Sequence, residues 1–163
     1  MKEEILQKLK KIPLFDEIKG NDDYLNLLAK ICKIRKYRQN EIIIKEGDLG
    51  SEMFIVYHGG VEILKRTRSG DNYTVVKLKA DQNIFFGEMA LIDDERRSAT
   101  VIASENSDFI QISKADFLSL GNSRPEIGLP VTRVISKILA GRLRKTTSDM
   151  LTIFDALVNE LKE

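Results

Sequence analysis

A carboxylate follows a glycine at Gly87-Glu88, and nine residues beyond that acid stands an arginine trailed by small side chains, Arg97-Ser98-Ala99-Thr100. The whole stretch, residues 85–100, reads FFGEMALIDDERRSAT. Gly87 lacks the Cβ that would keep a ligand off the main chain, and a helical turn starting at Glu88 would aim unpaired N–H groups at the same place. An anion suits such a place. Arg97 adds a planar guanidinium that can donate two parallel hydrogen bonds to phosphate oxygens, each charge-assisted bond contributing roughly 1.5–3 kcal/mol. Lysine, a point charge on a flexible stem, would not replace it. Glu88 would repel a phosphate unless it accepts from a hydroxyl close by, as acidic side chains do from ribose. A sugar phosphate meets both conditions. Ser98 offers a hydroxyl and a backbone N–H, and Ala99 is small enough for close approach. On Glu88 and Arg97 alone, a plain salt bridge between the two at the end of a turn explains the residues equally well.

The elements that must hold this stretch are of three kinds. Over residues 1–34, Ile5, Leu6 and Leu9, then Tyr24, Leu25, Leu27, Leu28 and Ile31, recur at helical spacing, with Pro13 as the breaker. Two or three short helices are expected. Over residues 36–112 the runs EIIIKEGD, MFIVYHGG, VEILKR, YTVVKL, ATVIA and DFIQI alternate with glycine and polar turns. Turn signals about every ten residues imply an all-β sandwich, jelly roll or barrel. Gly47, Gly50, Gly60 and Gly70 fall in those turns, where glycine adopts positive φ at little cost. EMALIDDE lacks the alternation and reads as a short helix after Gly87. SKADFLSL reads as a helix capped by Ser113, with Asp116 three residues on. Residues 122–130, carrying Pro125 and Pro130, are the one linker-like segment, and from Val131 the chain is helical to its end, with Gly141 able to break that helix in two. Leu143, Met150, Phe154, Leu157 and Leu161, with Thr147 filling the gap, fit a seam of three- and four-residue steps. Packing on its own domain and pairing with a partner chain both account for that seam. The expected segments are an N-terminal helical part over 1–35, a β region over 36–120 and C-terminal helices over 121–163.

Composition narrows the function. A chain of 163 residues, 42% hydrophobic, buries one good core. Twenty-six basic against 25 acidic residues leave a formal charge of +1, so no global field favours nucleic acid or an anionic membrane. The basic runs KRTRSG and RKTTSD are short and surrounded by acids, which reads as solvated surface. The single cysteine, Cys32, lies in the apolar-periodic LLAKICKI and reads as a buried, reduced thiol, which suits the cytoplasm. MKEEILQKLKK places charges where a signal peptide has its apolar run, and no stretch of eighteen uninterrupted apolar residues exists, so neither export nor membrane insertion is expected. A metal-dependent enzyme of the cupin type needs several histidines, and a hydrolytic triad needs one beside its nucleophile. The chain has one histidine, His58, in the turn-like YHGG.

Gly87-Glu88-Met89-Ala90-Leu91, five intervening residues, then Arg97-Ser98-Ala99-Thr100-Val101 resembles the phosphate-binding cassette of cyclic nucleotide-binding domains. These domains occur in bacterial catabolite activator proteins, kinase regulatory subunits and nucleotide-gated channels. EIIIKEGDLGSEMFIVYHGGVEIL resembles the family's first strands, with Gly47, Gly50 and Gly60 at its turns, and the likeness spans roughly residues 10–145. The resemblance implies a mainly β fold with flanking helices: an eight-stranded, jelly-roll-like β-roll with N-terminal helices and C-terminal helices that act as lid and dimer contact. It implies that Arg97 holds the exocyclic phosphate oxygens, that Glu88 takes the ribose 2′-hydroxyl, and that Gly87, Met89, Ala90, Ser98 and Ala99 supply close contacts. Leu78 would line the base side. The implied ligand is cAMP, with cGMP the alternative because Ser98 resembles members of both kinds. The implied role is a non-enzymatic sensor that signals through its C-terminal helices to a partner or a twin; a ligand-free scaffold that keeps the roll is the competing reading. Two departures stand out. The approach to the cassette reads LKADQNIFFGE, with Ala80-Asp81 in place of the common Gly-Asp pair and about two extra residues, and Arg96 stands where proline is frequent. Bacterial activators carry a helix-turn-helix beyond the long helix, and the chain ends at Glu163 without room for one, so no nucleic acid is expected as partner.

Overall fold

The computed structural model describes residues 2–66 and 72–160; Gly70, most of the KRTRSG turn and Leu161 lie outside the described residues. Helix α1 spans Lys2–Leu9 and helix α2 spans Asp22–Ile31, joined through a 3-10 turn at Pro13–Phe15. Asn21 starts α2, its side chain accepting from the N–H groups of Asp23 and Tyr24 and so filling two of the donors that a helix start leaves bare. The helical pattern stops sooner than expected. Cys32 turns extended and caps α2, and Lys33–Tyr37 forms a strand, because that backbone finds a ladder partner that outweighs a short periodic signal. Cys32 is half-buried rather than part of a helix interior; its thiol donates to the Leu28 carbonyl at 3.3 Å, and burial pushes its pKa up to about 12.

Eight strands follow: β1 (Lys33–Tyr37), β2 (Ile42–Ile44), β3 (Glu52–His58), β4 (Gly60–Arg66), β5 (Asn72–Lys79), β6 (Phe85–Phe86), β7 (Thr100–Ala103) and β8 (Ser107–Ser113). They make two antiparallel sheets, β1-β8-β3-β6 and β2-β7-β4-β5. The chain changes sheet at every strand-to-strand step except β4 to β5, which is what rolls the two sheets around each other. One consequence bears on function: β6 and β7 belong to opposite sheets, so residues 87–99 cross from one sheet to the other.

The period of two along β3 explains the layers. Phe54 and Val56 face the interior of the roll with Ile44, Val61, Phe86, Val101 and Phe109, where the Phe54 and Phe86 rings stack at 5.5 Å and Phe109 meets both edge-on. Met53 and Ile55 face the other way, into the larger cluster that the helices complete with Leu9, Leu25, Leu28, Ile127, Val131 and Ile135. Of the glycines read as turn residues, Gly47 takes a positive φ of 86°, whereas Gly50 and Gly60 do not.

Helix α3 (Lys114–Ser123) begins as expected, with the Ser113 hydroxyl accepting from the Asp116 N–H at 3.1 Å. The linker reading of residues 122–130 is wrong. Helix α4 runs unbroken over Pro125–Glu160, with Arg124 alone between the two helices. Pro125 sits at the first helical position, where no N–H is needed, and Pro130 lies one turn further in, forgoing a single bond. The glycines serve packing rather than freedom: a Cβ on Gly128 would lie 2.6 Å from the Gly121 Cα, so α3 and α4 touch backbone to backbone. Gly141 does not divide the helix.

Candidate functional site

Strand β6 delivers Phe86 into the roll interior, and Gly87, at φ 74°, turns the chain sharply out of the strand. A side chain would be strained there. The expected helix is a 3-10 turn, Glu88–Leu91, in which the Ala90 N–H donates to the Gly87 carbonyl at 3.2 Å. Glu88, Ala90 and Leu91 point inward, and the Met89 side chain lies in solvent. The return leg is clamped by the loop after β2. The Arg97 N–H donates to the Asp48 carbonyl and the Gly47 N–H to the Arg97 carbonyl, both at 2.9 Å, and Arg96 Nη1 donates to the Gly47 carbonyl at 2.7 Å. Arg96, placed where proline is common, thus fixes the turn by a hydrogen bond instead of by ring stiffness.

The Arg97 side chain is 9% exposed and turns toward Gly87. Its Nη2 donates to the Glu52 carbonyl at 2.7 Å and lies 3.5 Å from Glu52 Oε2, while Nη1 reaches the Gly87 carbonyl at 3.4 Å. Burial pulls the guanidinium pKa down; the charges of Glu52, then Asp93 and Glu88, pull it back up, and arginine remains a cation. Two glycines make its cradle. A Cβ on Gly50 would fall on the Nε of Arg97, and one on Gly87 would lie 2.9 Å from Nη1 and 3.0 Å from the Glu52 carbonyl.

Glu88 is 2% exposed, and its Oε1 accepts from Nη1 of Arg142, on α4, at 2.6 Å. Among the described residues Glu88 and Arg97 each have a different partner, so the salt bridge between them is not formed. Ser98 is exposed and Ala99 half-buried in the bend before β7, and Leu78, opposite Val61 on β5, packs against the roll interior from the other sheet. The cassette therefore brings Gly87, Glu88, Ala90 and Arg97 together, with Ser98 and Ala99 next along the chain and Leu78 on the facing wall. Glu52 and Arg142 were not singled out by sequence, and Gly50 was read only as a turn residue. The extra residues before the cassette form a second 3-10 turn, Ala80–Gln82, docked under α1 by Lys8 Nζ, which donates to the Ala80 carbonyl at 2.7 Å and to Asn83 Oδ1 at 3.2 Å.

A nearly buried cation, a buried carboxylate and a bare main chain at Gly87 form a donor set for a phosphate with an acceptor for a nearby hydroxyl. The pattern of the cyclic nucleotide-binding domain matches residues 34–124, more than half of the chain. The chain belongs to that family. As a cyclic nucleotide-binding domain it is 28% identical over 142 residues to the cyclic AMP receptor protein of Thermus thermophilus, covering 87% of this chain and 62% of that protein. It is 34% identical over 114 residues to the cGMP-dependent protein kinase of Plasmodium berghei, covering 69% of this chain and 12% of the kinase. The domain thus spans less than two thirds of the length of these relatives. Among solved structures, the catabolite activator protein of Thermus thermophilus superposes with a TM-score of 0.74 at 28% identity, over 85% of this chain and 61% of that one. A cyclic nucleotide-binding domain from Methylobacillus flagellatus gives 0.75 at 27%, over 92% and 82%. The eight-stranded roll with helices at both ends is therefore the fold of the family. Among the described residues no helix is long and apolar enough to cross a membrane, and the exposed His58 lies 3.9 Å from Asp108.

Proposed function

We propose that the domain is a cyclic nucleotide sensor whose ligand is cAMP, and that it is not itself an enzyme. Arg97 binds the exocyclic phosphate oxygens, Glu88 accepts from the ribose 2′-hydroxyl, and Gly87, Ala90, Ser98, Ala99 and the main chain of Met89 close around the sugar phosphate, with Leu78 toward the base. The observation that carries this reading is the placement of a buried arginine and a buried glutamate on the two legs of one sheet-to-sheet crossing, close together yet unpaired with each other. Arg97 is held by Glu52 and Glu88 by Arg142, so neither charge uses the other and a sugar phosphate can meet both. The likeness to a cyclic AMP receptor extends over more of the chain, 87%, than the likeness to a cGMP-dependent protein kinase, 69%, although the latter is higher in identity, so cAMP is proposed on extent and cGMP is the alternative. Occupancy is passed to α4, and through its exposed face to a second copy. A cytoplasmic setting suits a lone cysteine whose thiol is held protonated.

Titration calorimetry of wild type and Arg97→Ala with cAMP and cGMP tests the phosphate role. Losing one or two charge-assisted bonds lowers affinity by about a hundredfold or more, while removing the bonds to the Glu52 and Gly87 carbonyls costs about 1–2 kcal/mol of stability. Equal affinities in the two proteins would overturn the assignment. One observation favours the scaffold reading: Arg97 and Glu88 both have partners within the chain. Sedimentation with and without nucleotide separates the two, since a scaffold keeps one mass and shape in both.

A further inference from the structure

Strand β8 ends at Ser113, opposite Glu52 on β3, and Lys114 is the residue at which β8 gives way to α3. Lys114 bonds in two directions. Its backbone N–H donates to the Ser51 carbonyl at 2.7 Å. The Ser51 N–H donates to the Glu52 carboxylate at 3.2 Å, and the Glu52 carbonyl is the one that accepts from Arg97 Nη2. In the other direction, Lys114 Nζ donates at 2.7 Å to the Asp93 carbonyl and at 2.7 Å to Asp94 Oδ1. The Asp93 N–H donates to the Met89 carbonyl at 3.0 Å, which ties it to the turn that carries Glu88. Among the described residues, the two bonds from Lys114 Nζ are the hydrogen bonds that reach residues 92–95 from outside the cassette. The Lys114 side chain is 16% exposed and that of Asp94 95%. An ion pair to a carboxylate in open solvent contributes little, so the part-buried bond to the Asp93 carbonyl is the one that holds.

We infer that Lys114 is a positioning residue for the nucleotide: it braces the loop that holds Arg97 against the turn that carries Glu88, and so fixes the spacing between the phosphate cation and the hydroxyl acceptor. This rests on the proposed nucleotide function and adds to it a residue that acts only through others. Glu88 and Arg97 have no bond to each other, so their separation is set by what lies between them. The ligand is rigid on the same scale, because ring closure in a cyclic nucleotide fixes the phosphate relative to the 2′-hydroxyl. A rigid ligand makes both contacts at once only where the two protein groups already stand at the matching distance, and groups held in advance need not be ordered on binding. Lys114 suits that part: its ammonium grips main chain on one wall while its own main chain grips the other. Its signature is cooperation between the two ends of the ligand rather than loss of either contact alone.

The test measures binding of cAMP and 2′-deoxy-cAMP to wild type, Lys114→Met, Lys114→Arg and Asp94→Ala, alongside hydrogen exchange of residues 88–97 without nucleotide. Methionine keeps the apolar stem and removes the donors. Lys114→Met is expected to lose about 10-fold in affinity for cAMP and about 3-fold or less for 2′-deoxy-cAMP, which engages the phosphate end alone. Both ligands carry the same phosphate, so the electrostatic cost of deleting a cation cancels in the ratio between them. Exchange of residues 88–97 should rise in the same variant. Lys114→Arg keeps a charged donor with reach to the carbonyl and should return cAMP affinity to within about 3-fold of wild type. Asp94→Ala should stay within about 3-fold as well, since that carboxylate lies in solvent. An equal loss for the two nucleotides, unaltered exchange, or Asp94→Ala as weak as Lys114→Met would each overturn the brace and leave the nucleotide assignment standing. Wild type that binds neither nucleotide would overturn the nucleotide assignment and the brace with it.

Discussion

At the scale of single residues, the cassette works because small side chains leave room for one large cation. Gly50 is the sharpest case: its φ is ordinary, but a Cβ there would collide with the tip of the Arg97 side chain. The atoms it meets are the far end of a flexible chain rather than backbone, so the arginine can swing aside. Gly50→Ala is thus expected to leave thermal stability close to wild type while cAMP affinity falls by about 10- to 100-fold, the loss of one or two aligned charge-assisted bonds. Melting curves and calorimetry on the same sample check both halves; an equal loss of stability and affinity would mean that the turn itself had failed. Gly87, Glu88 and Arg97 were legible in the sequence because eleven residues of chain carry them with a glycine, an acid and an arginine in order. Their partners were not. Glu52 lies 45 residues before Arg97, and Arg142 lies 54 residues after Glu88. Nothing local in GSEMFIV or AGRLRK marks either one, since those contacts are made by the rolling of two sheets and the return of a helix.

At the scale of elements, six of the eight described strands were legible from alternation and turns, and α4 from its period, but not β1, the two-residue β6 or the point where α4 begins. Pro125 and Pro130 read as breakers by composition, yet Pro125 opens the helix at its first position, Pro130 is carried within it, and Gly128 lets the helix touch Gly121. That start is reinforced by charge. Glu17 accepts from Arg133 Nη1 at 2.6 Å and from Lys137 Nζ at 2.7 Å, cations one helical turn apart on α4. The bond from Lys137, then that from Arg133, holds the Glu17 carboxyl below its ordinary pKa of 4.5. A folded-state pKa lowered in this way means that the tie adds stability above the unfolded value and loses it as pH falls through the lowered folded value. Glu17→Gln should therefore be less stable than wild type at about pH 6, with a smaller gap at an acid pH below the ordinary carboxyl range, where wild type loses the same charge. Denaturant midpoints at the two pH values measure this, and a gap that persists at acid pH would show that the ion pairs are not its source.

At the scale of the whole molecule, α4 outruns the domain it anchors. Its first half is covered, yet Leu143 is 69% exposed, Met150 61%, Phe154 60% and Leu157 53%, with Thr147 completing the four-and-three spacing. The eighteen residues from 143 to 160 extend about 27 Å at 1.5 Å per residue. The reading that the seam packs on its own domain is not met: α4 packs through Ile127, Val131 and Ile135, while the described seam residues from Leu143 to Leu157 are exposed, with no partner among the described residues. Leu151 and Ile153, also exposed, flank the stripe and widen it. A self-complementary stripe of this period on a chain with a formal charge of only +1 favours a second copy of itself over a strongly charged partner. Wild type should sediment as a dimer at micromolar concentration, and Phe154→Glu as a monomer, because two carboxylates would be forced into one apolar seam, weakening association by about a hundredfold or more. The roll lies far along the chain from that substitution, so its circular dichroism and its cAMP affinity in the monomer separate assembly from folding. If occupancy is passed to this seam, nucleotide should also shift the dimer midpoint of wild type, and by reciprocity dimerisation should shift nucleotide affinity by the same factor. A wild type that stays monomeric at every concentration, with or without nucleotide, would refute the second-copy occupant and leave α4 free for a different partner.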